Sequence, residues 1–279
     1  MAIHKKRKYR RFILAIGLLM VYACNRDEVD PPAQAEVSWA KNEIAISATI
    51  DLMQELAFKG IAATASSWDR DEGAFLSCAI LKNEIIDTIN RIVTIDFGSG
   101  CTDVFSNRRE GRLIVNYDGR VWSHGATVEV TTDNFLMNGL LVEGTISMVY
   151  DTLSESVGRV HQVALNGGRF TFPDGKFITR EETGTRTWVR SPTDPFADIV
   201  KIIGSASGSD REKDLYSIDI LEAVVSDRAC MYEGQNTMPV FGKKEITARD
   251  LFFIVAYGDG LCDTRVVLTK EGKSKDIWF

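Results

Sequence analysis

Five cysteines, three histidines, a few aspartates beside glycines and five tryptophans are the residues of this chain that could do chemistry. Cys24 stands alone at the end of an apolar run, whereas Cys78, Cys101, Cys230 and Cys262 are spread along the polar remainder. No CxxC pair or close Cys/His cluster offers the tetrahedral donor set that zinc needs. Catalysis by proton transfer would fall to His124 or His161, because His4 lies in the basic leader. His124, in Trp122-Ser123-His124-Gly125, reads as a solvent-facing turn histidine, and His161, after Arg159-Val160, as an outward polar residue of a strand. There is no Gly-x-Ser-x-Gly elbow, no glycine-rich phosphate loop ending in Gly-Lys-Ser/Thr and no His-Glu-x-x-His pair. No catalytic residue, metal or cofactor is therefore expected. Asp96, Asp103, Asp259 and Asp263 lie on glycine-rich segments that could suit a hard cation such as calcium, but their spacing fits no EF-hand and turn formation explains them. Trp39, Trp68, Trp122, Trp188 and Trp278 fill a core by default. Trp122 and Trp188, in strand-like runs beside charged residues, are the two candidates for ligand contact, since an exposed indole stacks on a sugar ring.

Four cysteines can pair in three ways. An internal echo selects among them. Val93-Thr94-Ile95-Asp96-Phe97-Gly98-Ser99-Gly100-Cys101-Thr102-Asp103 is matched by Ile254-Val255-Ala256-Tyr257-Gly258-Asp259-Gly260-Leu261-Cys262-Asp263. Each reads strand, aromatic, Gly-x-Gly, cysteine, aspartate, with one earlier cysteine upstream and a glycine turn, Glu110-Gly111 or Glu271-Gly272, downstream. Two related modules follow, clasped by Cys78–Cys101 and Cys230–Cys262. Each clasp contributes about 3 kcal/mol in the chain-entropy account.

The elements that must position these residues are mostly strands. Between Val37 and Lys59 the apolar residues Ile44, Ile46, Ile50, Met53, Leu56 and Ala57 fall at helical spacing, and Gly60 sits where a helix cap belongs, with a second short helix at Ile61 to Ser66. From Arg91 onward, runs rich in Val, Ile, Thr, Phe and Tyr are broken by Asp118-Gly119, Asn138-Gly139, Asn166-Gly167 and Asp174-Gly175, dipeptides suited to hairpin turns. Leu113, Val115 and Tyr117, Ile146, Met148 and Tyr150, and Phe170 and Phe172 alternate with polar neighbours, the pattern of strands with one buried face. The expected fold class is mainly β: an antiparallel meander of about a dozen short strands with one N-terminal amphipathic helix. Residues 37–191 would hold the helix and the first module and residues 192–279 the second, unless 37–279 is one continuous domain. Ser191-Pro192-Thr193-Asp194-Pro195 and the segment Gly204 to Asp210 are expected loops at which the modules could divide.

The first thirty residues carry the strongest signal. Six basic residues, Lys5, Lys6, Arg7, Lys8, Arg10 and Arg11, precede the apolar run Phe12 to Ala23. As a helix that run rises about 18 Å, short of the ~30 Å hydrocarbon core, so it reads as a secretory signal rather than a permanent span. Val21-Tyr22-Ala23-Cys24 resembles a lipobox, although Tyr22 is bulkier than the pattern usually allows. In bacterial lipoproteins of this kind the thiol takes a diacylglycerol and the chain is cut between the residues matching Ala23 and Cys24. Two or three acyl chains anchor stably, each buried CH₂ adding about 0.8 kcal/mol. Residues 24–36 are acidic and proline-containing, and read as a flexible tether. Asp27-Glu28 and Asp30 after the cysteine resemble the export signal of Bacteroidetes surface lipoproteins, and the runs Thr131 to Gly139 and Val142 to Thr145 resemble motifs of uncharacterised lipoproteins of that group. The resemblance implies an outer-membrane lipoprotein, with surface exposure, and it implies no activity.

Removing residues 1–23 removes six of the 33 basic residues and none of the 39 acidic ones, leaving a net charge of −12. Such a surface repels nucleic acid and anionic headgroups. The expectation is a membrane-tethered envelope module that binds a glycan, a protein or another envelope component. The alternatives are a carrier cradling acyl chains beneath its helix, and, more remotely, a hydrolase working with paired carboxylates.

Overall fold

Alternating burial along nearly every strand sets one face of a single sheet against one helix. The computed structural model describes residues 31–64, 76–154, 158–191, 197–232, 238–249 and 251–279. Residues 31–279 form one compact unit. Helix α1 spans Gln34–Thr64 and the short α2 spans Arg228–Tyr232. The strands are β1 (Ile80–Ile85), β2 (Asn90–Asp96), β3 (Cys101–Thr102), β4 (Arg108–Asp118), β5 (Thr127–Met137), β6 (Leu140–Ser154) and β7 (Gly158–Thr171). They continue as β8 (Phe177–Val189), β9 (Ile199–Ser209), β10 (Leu215–Asp227), β11 (Phe241–Ala248), β12 (Leu251–Tyr257), β13 (Arg265–Lys270) and β14 (Lys273–Trp278). All fourteen belong to one sheet in sequence order from β1 to β14, with the short β3 paired to the side of β4. Every pairing is antiparallel. The expected antiparallel meander is thus the fold, and the segments 37–191 and 192–279 contribute to one unbroken sheet in which β8 pairs with β9.

The expected buried alternations hold: Leu113, Val115 and Tyr117 on β4, and Ile146, Met148 and Tyr150 on β6, all face inward. In register, Ile95 lies opposite Leu113, Ile146 opposite Leu165, and Ile246 opposite Phe253, all of them buried. The turn dipeptides divide. Asn138-Gly139 joins β5 to β6 with φ of 51° and 83°, the positive pair that a type I′ turn requires. Asn166-Gly167, expected as a hairpin, is instead a bulge inside β7, where the register to β8 shifts between Leu165 and Gly168. Glu110-Gly111 is likewise a bulge within β4 rather than a turn. Asp118-Gly119 opens a longer connection to β5 that carries Trp122 and His124, so Trp122 does not lie in a strand.

Gly204 to Ser209, expected as a loop, is the second half of β9. Its small residues let the backbones approach: a Cβ on Gly208 would lie 1.9 Å from the Thr179 carbonyl oxygen, and one on Gly204 2.3 Å from that of Thr183. Composition suggested flexibility; the position demands thinness. Gly60 corrects the sequence in the same way. It does not end α1, which runs on to Thr64, but lies where a Cβ would come 2.8 Å from Ile95 Cδ1. The helix continues because β2 packs on that glycine.

Helix α1 lies against β2, β4, β5 and β12 through Val37, Ala40, Ile44, Met53, Leu56, Ala57 and Ile61, all buried in the common core. Its polar residues divide: Ser38 and Lys41 are exposed, whereas Glu36, Glu43 and Glu55 are buried. No described helix is long and apolar enough to cross a membrane. Both inferred disulfides are present, Cys78–Cys101 and Cys230–Cys262. The echoed segments turn at corresponding places near opposite ends of the sheet, joining β2 to β4 and β12 to β13.

Because Gly208 has no room for a side chain, Gly208→Val is expected to destabilise the chain by about 3 kcal/mol. A shift of the urea midpoint without a change in slope would show it.

Candidate functional site

The acidic residues of α1 form a stripe, Glu36, Glu43, Asp51 and Glu55, at spacings of about two turns, two turns and one. Buried carboxylates need partners. The strands opposite supply them from inward positions that the pleat reserves for apolar side chains. On β8 the inward series is Ile178, Arg180, Arg186 and Trp188, all buried. Arg180 Nη1 lies 2.5 Å from Glu43 Oε2, and Lys244 Nζ on β11 lies 2.9 Å from Glu43 Oε1 and 2.8 Å from Ser47 Oγ. Burial opposes ionisation of Glu43, yet Arg180 and Lys244 hold its carboxyl at about 2. Glu55 meets Arg228 of α2 and, at 3.5 Å, Arg186; Lys270 of β13 reaches Glu36 at 2.6 Å. Asp198 closes the row, accepting from Trp188 Nε1 at 2.8 Å and from the Ser191 amide at 2.7 Å.

Asp51 is the exception in this row. Its nearest cation, Arg186 Nη1, is 3.5 Å away, and burial, aided by the nearby Glu182 carboxylate, raises its pKa from 3.8 to about 6. Asp51, Glu182, Arg180, Lys244 and Tyr257, together with apolar residues such as Ile44, Ile202 and Ile218, line a small cavity beside Ser47 and Ser205. Two carboxylates on one cavity would be the elements of a hydrolase. The volume decides otherwise: about 30 Å³ holds a water, not a sugar.

A larger pocket, about 340 Å³, opens at the C-terminal end of α1. Phe58, Ile61 and Ala62 form its helical wall, Tyr117, Val121 and Trp122 its sheet-side wall, and Arg91 and Arg120 bring positive charge. The volume falls at the lower end of the roughly 300–1,000 Å³ of small-molecule sites. Behind the wall is an aromatic cluster. Phe58 stacks on Trp122 at 5.3 Å and lies 5.0 Å from His161, which also meets the edge of Tyr150 at 5.3 Å. The Arg159 guanidinium sits 4.1 Å from the Trp122 ring centre and 5.8 Å from that of Trp188. Arg91 keeps its buried Nε without a hydrogen-bond partner.

The two tryptophans singled out in the sequence therefore share one cluster, but not an open face. Phe58 stacks on the half-buried Trp122 and the Arg159 guanidinium also lies against its ring, while Trp188 is 9% exposed. They wall and support a pocket, and neither presents a flat ring to a sugar. Trp68 and Cys24 lie outside the described residues, as does Ala23. Trp39 packs edge-on against Tyr216 at 5.1 Å, and Trp278 is exposed. His161 is not outward: it is 2% exposed, because Phe58 projects from α1 onto its strand. Burial, with Arg186 and Arg159 nearby, lowers its pKa to about 4, so it is neutral at pH 7. His124 is exposed and bonds through Nδ1 to the Asp151 carbonyl.

The aspartates are structural. Asp96 accepts from the Gly98 amide at 2.8 Å and faces Arg112 at 3.4 Å; Asp103 accepts from the amides of Phe105 and Asn107 and pairs with buried Arg109; Asp263 accepts from the Arg265 amide, and Asp259 is exposed. Among the described residues no group of three or more His, Cys, Asp or Glu could hold a metal ion. Sequence reasoning missed the helix stripe and its cations. The signal was present, in acids recurring on one helical face and in Arg180 and Arg186 at inward strand positions.

No protein-family model matches the chain, and no curated protein or solved structure is significantly similar to it.

Two substitutions test the row. Glu43→Gln leaves Lys244 buried without its carboxylate and Arg180 with Glu182 alone, and is expected to cost about 3 kcal/mol in urea unfolding. Asp51 behaves oppositely. The folded chain retains its proton between pH 3.8 and about 6 while the unfolded chain releases it, so this group's contribution to stability falls as pH rises through that window. Asp51→Asn should therefore gain about 1–2 kcal/mol relative to the native chain on going from pH 4 to pH 7.

Proposed function

We propose that this chain is a lipid-tethered binding module of a bacterial cell envelope, with Cys24 as its anchor and the pocket at the end of α1 as its ligand site. The anchor rests on the basic leader, the short apolar run and the lipobox-like Val21-Tyr22-Ala23-Cys24. Two disulfides accord with an oxidising compartment. The acidic, proline-containing stretch after Cys24 would let the folded body stand off an outer-membrane surface.

The pocket is the observation that carries the binding role. It combines an apolar and aromatic wall with two arginines, Arg91 and Arg120. A fitting ligand has a compact apolar body and an anionic head, because the wall gains from covering apolar surface and a guanidinium prefers a carboxylate or phosphate oxygen. A long acyl chain fits less well. The concavity that would hold it is filled by α1, where Met53, Leu56 and Ala57 are at most 1% exposed. Binding rather than catalysis is the proposal, since among the described residues the pocket lining holds no histidine, cysteine or carboxylate.

Thermal shift assays of the unlipidated chain from Asn25 to Phe279, using aryl carboxylates, medium-chain fatty acids, matched neutral alcohols and neutral oligosaccharides, test the pocket. The short apolar anions should raise the melting temperature, and Arg91→Ala or Trp122→Ala should weaken that binding about tenfold. Stabilisation by neutral sugars alone, unchanged in both variants, would remove the reading. In cells, Cys24→Ser should abolish labelling by a palmitate analogue and release the protein from the membrane fraction; undiminished labelling would remove the anchor.

A further inference from the structure

The two edges of the sheet are protected unequally. β14 carries Lys273 and Lys275, and lysines along an edge oppose pairing with another strand. β1 carries one lysine, Lys82, offset by Glu84, and its flanking apolar residues are open: Ile80 is 67% and Ile85 68% exposed, and Ile86 and Ile89 beside them are exposed as well. The pairing of β1 with β2 occupies only one side of its backbone. Ile86 donates its amide to the Asn90 carbonyl at 3.1 Å, so the even-numbered residues of β1 bond to β2. Leu81, Asn83 and Ile85 direct their N–H and C=O groups the other way. Among the described residues no strand receives them.

The edge also specifies what would fit. Ile80-Leu81-Lys82-Asn83-Glu84-Ile85-Ile86 has the same character read in either direction from Asn83, except that its charges exchange sign. We propose that β1 pairs antiparallel with β1 of a second copy of this chain, about a two-fold axis through Asn83, making a dimer with one continuous sheet. In that register each Lys82 faces a Glu84, Ile80 faces Ile86, and Leu81 faces Ile85. The side chains of each pair lie on the same face of the sheet, so the ionic pairs and the isoleucines meet directly. The hydrogen bonding agrees independently: the register pairs odd residues with odd, and those are the residues whose backbone groups are free. A shift by one residue would pair Lys82 with Asn83 and turn the apolar sets to opposite faces.

Charge and closure together select a second copy over other occupants. A two-fold contact uses the same patch on both chains and stops at two, whereas β1 against β14 of the next molecule would place Lys82 on a lysine-bearing edge and continue without end. The Cys78–Cys101 bond fixes the start of β1 to β3, so the strand is presented already ordered.

Sedimentation equilibrium of the chain from Asn25 to Phe279, which contains the whole compact unit, tests this. A monomer–dimer equilibrium is expected. Glu84→Lys sets lysine against lysine and should weaken the dimer at least tenfold, and adding Lys82→Glu to it should restore the native constant, because the exchanged charges face each other again. Lys82, Asn83 and Glu84, the substituted residues, are exposed, so circular dichroism should be unchanged. As a register test, Asn83→Cys should cross-link two chains on mild oxidation, since directly opposed bonded residues lie about 5.5 Å apart between Cα atoms; Lys82→Cys should not. A monomer at millimolar concentration, an open polymer, or a double variant no better than Glu84→Lys would overturn the proposal. Ligand binding in the pocket is read separately and does not decide it.

Discussion

Everything in this molecule depends on α1 packing against one face of a sheet that, among the described residues, stays open. A meander of fourteen strands in sequence order has only one inner face, and that face needs something to bury against. One helix fills the role. Its apolar residues meet β2, β4, β5 and β12, and its acidic stripe meets cations from β8, α2, β11 and β13. The carboxylates that this packing buries cannot stay in water, so Glu36, Glu43 and Glu55 each meet a guanidinium or ammonium at a fixed height along the axis. Such pairs add little net stability over an apolar core, but removal of one partner is costly, and the row thereby fixes how far each strand has slid along the helix.

The functional candidates follow from the same packing. Where the row is complete, around Glu43 and Glu55, there is no space; where it is loose, at Asp51, there is room for a water. Where the helix ends and the sheet continues past it, a pocket opens, walled by the last helical side chains and by the connection after β4. Trp122, Trp188 and His161 gather behind that wall because Phe58 on the helix reaches toward them, so the aromatic cluster is a consequence of where the helix stops.

An open sheet also has two edges, and the disulfides lie near them. Cys78–Cys101 precedes β1, and Cys230–Cys262 ties α2 to the turn between β12 and β13. Edge regions have a neighbour on one side only and would fray first. Cross-links there restrain the strands that packing restrains least.

Much of this was legible without coordinates. The meander followed from turn dipeptides and period-2 burial, because a hairpin is a local structure written in adjacent residues; the disulfide pairing followed from an echo that a reader can see in one line. The role of glycine was not. Gly60 looked like a cap and Gly204 to Ser209 like a loop, yet both are thin places in packed elements, since the atom that excludes a Cβ belongs to a strand distant in sequence or across the sheet. His161 was read as outward and proved buried for the same reason: strand alternation tells which residues share a face, but not which ring from another element covers them. By itself the sequence determined the class of fold and the cysteine pairing. Tertiary structure alone decided that charged residues at inward positions pair with a helix more than a hundred residues away, and that a pocket remains at its end, because cavities and buried ion pairs are properties of distance in space.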